Sequence, residues 1–197
     1  DFVVFSAHKM NSPYGEGAII GPRNHFNAAA PYLQGGGTVY HVGLDHVMWA
    51  EAPERQEAGT PNVLGLLALA AAIRIYERVG WPAILDHEER LTARLLTGMK
   101  QIPGVKILGP ADPGNLEARL GVVTFLVDGV HYQLVAAILS HEFGIAVRAG
   151  CFCAHPLIQH LLRVDRRSED AIEEHLRDGD RSEVPGAVRA SVGLHNT

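Results

Sequence analysis

Ser6-Ala7-His8-Lys9-Met10, with Pro13-Tyr14-Gly15-Glu16-Gly17 close behind it, is the segment around which the rest of this sequence organises. The run before it, Phe2-Val3-Val4-Phe5, is apolar and rich in β-formers, and Ala18-Ile19-Ile20 after it is a second such run. The stretch therefore predicts two strands, paired as a hairpin or lying adjacent, with a lysine at the end of the first. A lysine placed there sits where a fold can bury its amine, which lowers its tendency to hold a proton and lets it form a Schiff base with a carbonyl. The competing reading of Lys9 taken alone is a solvated surface charge.

Outward from that segment, the chain has 197 residues, 47% hydrophobic and 20% charged, a composition that folds around a core. The net charge of -5 leaves no basic footprint for nucleic acid, so small molecules or other proteins are the expected partners. Val63 to Ala72 is the most apolar stretch, and with Arg74 just beyond it is too short to span a bilayer. With no charged-then-apolar leader, the chain reads as soluble and cytoplasmic. Two cysteines, Cys151 and Cys153, are too few and too close to staple a secreted domain and are candidates for chemistry. The strand-like runs at the two ends, Phe2 to Phe5 and Ala187 to Val192, read as parts of something longer.

Gly35-Gly36-Gly37 with Thr38 and Tyr40 reads as a loop able to wall a site. Thr60 as N-cap and Pro61 in the first turn predict a helix from Asn62 to Val79, apolar nearly all round and so buried in a core or a subunit interface. Gly80 ends it, and an amphipathic helix follows from Trp81-Pro82 to Gln101. Val105 to Leu108, Gly121 to Val127 and Ile145 to Arg148 read as strands and His131 to Phe143 as a helix, while the charge-rich stretch from Asp165 to Pro185 reads as a surface helix with loops. This is an α/β pattern. The second long helix is the bridge, dividing residues 1–90, a large-domain piece, from 91–197, a small domain, near Leu91.

Four segments carry a resemblance. Ser6 to Met10 with the Pro-Tyr-Gly-Glu-Gly loop resembles the cofactor-lysine segment of class V aminotransferases and cysteine desulfurases. Glu54-Arg55-Gln56-Glu57-Ala58-Gly59-Thr60-Pro61-Asn62 is similar to that family's Glu-Arg-Phe-Glu-Ala-Gly-Thr-Pro-Asn, departing at Gln56. Val147-Arg148-Ala149-Gly150-Cys151-Phe152-Cys153-Ala154-His155-Pro156 resembles its Arg-Thr-Gly-His-His-Cys-Ala-Gln-Pro loop. Arg189-Ala190-Ser191 through His195-Asn196-Thr197 resembles Arg-Ala-Ser-x-x-x-Tyr-Asn-Thr.

The resemblance implies the pyridoxal-phosphate (PLP) transferase fold of type I, an α/β fold of which this chain is the second part: a partial large domain plus a small C-terminal α/β domain. It implies that Lys9 holds PLP and then serves as base, with Ser6 and His8 against the phosphate. Thr60, which also fits as a helix cap, would reach the phosphate of the other subunit of a homodimer. Cys153 becomes the nucleophile that takes sulfur from L-cysteine as a persulfide, releasing alanine, with a sulfur-acceptor protein to follow. Arg189 would clamp the substrate carboxylate, with Arg148 as a second candidate. The loop departs from the family's pattern at Cys151, Phe152 and His155, where proton handling near the thiol is set.

Bland readings stand beside these. Cys153 fits as a small buried hydrophobe and Arg189 as half of a surface salt bridge. An aminotransferase, lyase or epimerase acting on another amino acid makes Cys153 incidental. Cys151, Cys153, His155 and His160 together offer a zinc set, although the Cys-x-Cys pair is tighter than finger spacing. A non-catalytic dimerising piece is the remaining alternative, which the apolar helix from Asn62 favours.

Overall fold

The computed structural model describes residues 1–117, 119–180 and 184–197, so the part of the predicted 165–185 stretch at 181–183 lies outside the described residues. It forms two compact units, Asp1–Trp81 and Pro82–Thr197. They divide at the start of the second long helix, whereas the sequence reading puts the change further along that helix, near Leu91.

In the first unit, β1 (Val3–Ser6) pairs antiparallel with β2 (Gly17–Ile20), Val3 opposite Ile20 and Ser6 opposite Gly17. The two apolar runs are thus the hairpin that the sequence predicts. Their connection is a 3-10 turn, Ala7–Met10, closed by Asn11 in the left-handed region (φ 57°). Ala7 is fully buried and its N–H donates to the Glu16 carbonyl at 2.8 Å, which fixes the turn at the strand end. After α1 (Arg23–Asn27), a second hairpin, β3 (Val39–Val42) with β4 (Val47–Trp49), occupies a region that sequence periodicity leaves as loop. Thr38 walls no site. It is buried, and its hydroxyl donates to the Gly35 carbonyl at 2.7 Å, locking the glycine turn.

Helix α2 (Val63–Val79) is capped by Asn62 and not by Thr60. Asn62 wins because it has two partners: Oδ1 accepts the Gly65 N–H at 3.1 Å, and Nδ2 donates to the Tyr14 carbonyl at 2.7 Å. Only Gly65, Leu69 and Ala72 of α2 are buried within this chain, so of the two expected settings the chain's own core accounts for one narrow face. Leu64, Leu67 and Ile75 remain 66%, 64% and 56% exposed, a wide apolar face open to a partner.

The second unit is an antiparallel sheet with helices. Helix α3 (Trp81–Lys100) turns Ile84, Thr92, Leu96 and Met99 inward. The four strands run in the order β5 (Val105–Leu108), β6 (Val122–Val127), β8 (Ala187–Ser191), β7 (Arg148–Gly150), so the last strand in sequence lies between β6 and β7. Helix α4 (Tyr132–Phe143) supplies Tyr132 and Val135 to a core shared with Leu96, Met99, Val123, Phe125 and Val188. Two further helices, α5 (His155–Leu162) and α6 (Arg166–Arg177), complete the unit. The predicted strand at Ile145 to Arg148 forms later, at Arg148–Gly150, because β8 offers its pairing edge only to these residues.

Candidate active site

Ser6 ends β1, and His8 and Lys9 stand in the turn after it; all three side chains are exposed. Lys9 is exposed, so the burial expected of its amine is not met within this chain, and among the described residues Nζ has neither a hydrogen bond nor an ion pair. Two hydrogen bonds tie this turn and its loop to α2: Asn11 Nδ2 donates to Tyr76 Oη at 2.9 Å, and Asn62 Nδ2 donates to the Tyr14 carbonyl. The approach is close enough to require Gly65, where a Cβ would stand 2.9 Å from Glu16 Cβ. Thr60 is exposed two residues before the α2 cap, after Gly59 with φ 79°. A cleft of about 820 Å³ in this unit runs along β1, β2 and α2, lined by Phe5, Ile20, Phe26 and Leu66 among others, and Lys9 is not part of its wall.

The second unit brings together what 41 positions of sequence separate. Arg148 and Arg189 are directly opposed across the β7–β8 ladder, and Thr124 of β6 opposes Arg189 from the other side. Opposed residues point to the same face, so two guanidinium groups and a hydroxyl share one row. Like charges directly opposite are destabilising unless an anion sits between them. Arg189 Nε is buried and, among the described residues, has no hydrogen-bond partner, while its guanidinium carbon lies 5.3 Å from the centre of the Phe152 ring. A forked donor held by an aromatic face and lacking an acceptor suits a carboxylate.

β7 runs straight into the cysteine loop. The Ala154 N–H donates to the Cys151 carbonyl at 2.8 Å, closing a turn in which Phe152 (φ 55°) and Cys153 (φ 61°) are both left-handed. Consecutive non-glycine residues in that region are strained and persist only where their surroundings hold them. Cys153 is exposed, and its thiol has no partner among the described residues. Cys151 is half-buried, with its Sγ 2.9 Å from His155 Nε2. Burial, and secondarily the charge of Cys151, raises the Tyr132 phenol above its ordinary range. Its hydroxyl donates to the Val184 carbonyl at 3.1 Å.

Among the described residues no three His, Cys, Asp or Glu side chains converge as a metal site, so the zinc set of Cys151, Cys153, His155 and His160 is not assembled. From sequence, Cys151 and His155 enter as members of the zinc set and, with Phe152, as departures from the family's loop; their pairing as a dyad, and Phe152 as the platform for Arg189, are shown only by the structure. The spacing Cys-x-x-x-His at a helix start was the available signal for the first.

The first unit thus carries an exposed strand-end lysine, and the second an arginine pair beside a strained cysteine turn. The aminotransferase class-V family matches residues 1–197, and the chain belongs to it. Its curated relatives include the probable cysteine desulfurase 2 of Mycobacterium leprae, 37% identical over 96% of this chain and 44% of the relative. Among solved structures, the apo cysteine desulfurase of Thermococcus onnurineus NA1 aligns with a TM-score of 0.82 at 37% identity, over 100% of this chain and 43% of that one. The cysteine desulfurase CsdA of Escherichia coli aligns at 0.76 and 30%, over 100% and 42%. The fold is that of the type I PLP enzymes. The chain spans less than half the length of the relatives it matches.

The Lys9 segment fits such a cofactor: an accessible, unpartnered primary amine stands three residues after the exposed hydroxyl of Ser6, with the exposed hydroxyl of Thr60 in the same unit.

Proposed function

We propose that this chain is the second part of a PLP-dependent cysteine desulfurase. The observation that carries the reading is the Arg148–Arg189 pair, in which Arg189 Nε is buried without a partner among the described residues, and which leads through β7 into the turn with the exposed thiol of Cys153. An anion site next to an unpartnered thiol is the arrangement for orienting an amino acid by its carboxylate and taking an atom from its side chain.

In this reading Lys9 holds the cofactor through Nζ, and Ser6, His8 and Thr60 contact its phosphate. When bound, PLP supplies an electron sink for the bonds at the substrate's α-carbon. Arg189 grips the L-cysteine carboxylate bidentately, with Arg148 adding a second positive charge. Lys9 Nζ moves the proton at the α-carbon. The Cys153 thiolate attacks the substrate sulfur, forming an S–S bond as the substrate's C–S bond breaks. Alanine leaves, and Cys153 carries a persulfide for a sulfur-acceptor protein. The exposed apolar face of α2 supports assembly as a homodimer, through which Thr60 serves the partner's phosphate. A cytoplasmic setting belongs to this reading, since a thiol that cycles through a persulfide works in a reducing compartment. No described helix is long and apolar enough to cross a membrane.

The test is peptide mapping without reductant after incubation with PLP and L-cysteine, using the chain alone and the chain extended by the N-terminal portion of a curated relative. Added sulfur on Cys153 with release of alanine is the expected result. PLP bound at Lys9 with Cys153 unmodified would leave an aminotransferase, lyase or epimerase in its place.

A further inference from the structure

We propose that Cys151, paired with His155, is a second sulfur-carrying thiol that takes the sulfane sulfur from Cys153, so that the 151–154 turn works as a two-step relay. The inference rests on the reading of Cys153 as the persulfide carrier.

The two thiols occupy unequal positions in one turn. Cys153 is exposed and unpartnered, suited to meeting a sulfur donor, whereas Cys151 is half-buried with a base at 2.9 Å. The Ala154 to Cys151 hydrogen bond and the paired left-handed residues keep both cysteines within a single tight loop. Even a fully extended chain would separate their Cα atoms by no more than about 7 Å. A persulfide lengthens the Cys153 side chain by about 2 Å, the length of one S–S bond. The transition state of the exchange also closes a ring, but one larger by a sulfur than that of a disulfide between these residues, and the added S–S length lets the attacking, sulfane and leaving sulfurs approach the in-line arrangement that the displacement needs.

The step balances without an oxidant. Cys151 Sγ attacks the outer sulfur of the Cys153 persulfide as its thiol proton passes to His155 Nε2. A new S–S bond forms on Cys151, the bond between Cys153 Sγ and the sulfane sulfur breaks, and Cys153 leaves as a thiolate. The sulfane sulfur keeps its hydrogen and its oxidation state. His155 must present Nε2 as an acceptor, with its ring proton on Nδ1. Cys153 is then free for another round while the sulfur waits on Cys151.

The experiment needs neither PLP nor L-cysteine, so its outcome is separate from that of the desulfurase test. The purified chain is treated with glutathione persulfide carrying isotopically labelled sulfane sulfur, alkylated at intervals, and cleaved after Phe152 so that the two cysteines fall on different peptides. Label is expected first on Cys153 and then on Cys151. In C153A most of the Cys151 label is lost. In H155Q, transfer from Cys153 to Cys151 slows about 100-fold, the scale of a missing general base, with Cys153 label in the same sample as reference. Cys151 remaining unlabelled beside a loaded Cys153 would overturn the proposal. So would Cys151 loading as fast in C153A as in the wild type, unaltered transfer in H155Q, or a chain in which neither thiol takes label.

Discussion

Gly186 enters β8 where three elements meet, and replacing it with alanine tests the packing that holds the cysteine turn. A Cβ there would lie 2.6 and 2.7 Å from Tyr132 Cζ and Cε1, and 2.9 Å from Gly150 Cα. The ring is 8% exposed and its hydroxyl is committed to the Val184 carbonyl, and Gly150 is backbone, so no flexible side-chain tip can give way. Overpacking of this kind costs about 1–3 kcal/mol. Displacing Tyr132 removes a hydrogen bond that contributes about 0.5–1.5 kcal/mol. Together these put Gly186→Ala near about 3 kcal/mol, or roughly a 100-fold rise in the exchange of amides protected by the β7–β8 ladder. Hydrogen exchange read by mass spectrometry is the assay of choice, because it localises the effect. The tryptophans, Trp49 and Trp81, lie in the first unit and its boundary and report poorly on this region. Tyr132→Phe should show only the hydrogen-bond part. Exchange in β7 and β8 within about threefold of the wild type in Gly186→Ala, a difference under roughly 0.7 kcal/mol, would refute the packing argument.

Leu96, fully buried in the second core, should cost about 3–5 kcal/mol when cut to alanine, measured by urea titration of far-UV circular dichroism. Asp165 caps α6, and its carboxyl is held below the usual range mainly by the Ser168 backbone N–H, then by the Ser168 hydroxyl. A depressed folded value means the cap stabilises above the ordinary carboxylate range and is lost as pH falls through the lowered one. The α6 amides should therefore lose protection on acidification, and Asp165→Asn, an uncharged cap, should abolish that pH dependence. Arg189→Ala should raise the KM for L-cysteine roughly 10- to 100-fold in the completed enzyme, from the loss of charged hydrogen bonds worth about 1.5–3 kcal/mol, seen in alanine release. Phe152→Asn suits the left-handed backbone yet removes the ring beneath Arg189. Stability should stay within about 1 kcal/mol while phenylglyoxal labels Arg189 faster; unchanged labelling would dismiss the ring as its platform.

The hairpin carrying Lys9 was readable because both of its strands are short apolar runs of β-formers flanking a polar turn, a local signal that needs no tertiary context. The α2 start was harder. Thr60, Pro61 and Asn62 all carry start signals, and the choice fell to Asn62 through Tyr14, 48 positions away. The β3–β4 hairpin escaped because its strands are short, Val42 and Met48 are largely exposed, and the preceding glycines dominate the local pattern. β7 was expected over Ile145 to Arg148 because Ile145 and Val147 look like strand residues. Ile145 is half exposed, and the ladder instead takes the less apolar Arg148, Ala149 and Gly150. Arg148 and Arg189 were each readable by resemblance to a family loop, but their opposition is a matter of register between distant strands.

That opposition bears on the strained turn beside it. Two adjacent left-handed residues cost about 2–4 kcal/mol. The turn hydrogen bond returns about 0.5–1.5 kcal/mol, and the Arg189–Phe152 contact about 0.5–1 kcal/mol. The remainder, about 1 to 2 kcal/mol from the middle of these ranges, must come from the β7–β8 ladder and from α5, which flank the turn. The ladder itself is weakened by two facing guanidinium groups. An anion between them relieves that repulsion, firms the ladder, and so firms the turn that presents Cys153. In the proposed reaction, substrate carboxylate and attacking thiol would thereby be coupled through the three residues of β7: the carboxylate that orients the amino acid would also steady the turn whose thiol takes its sulfur.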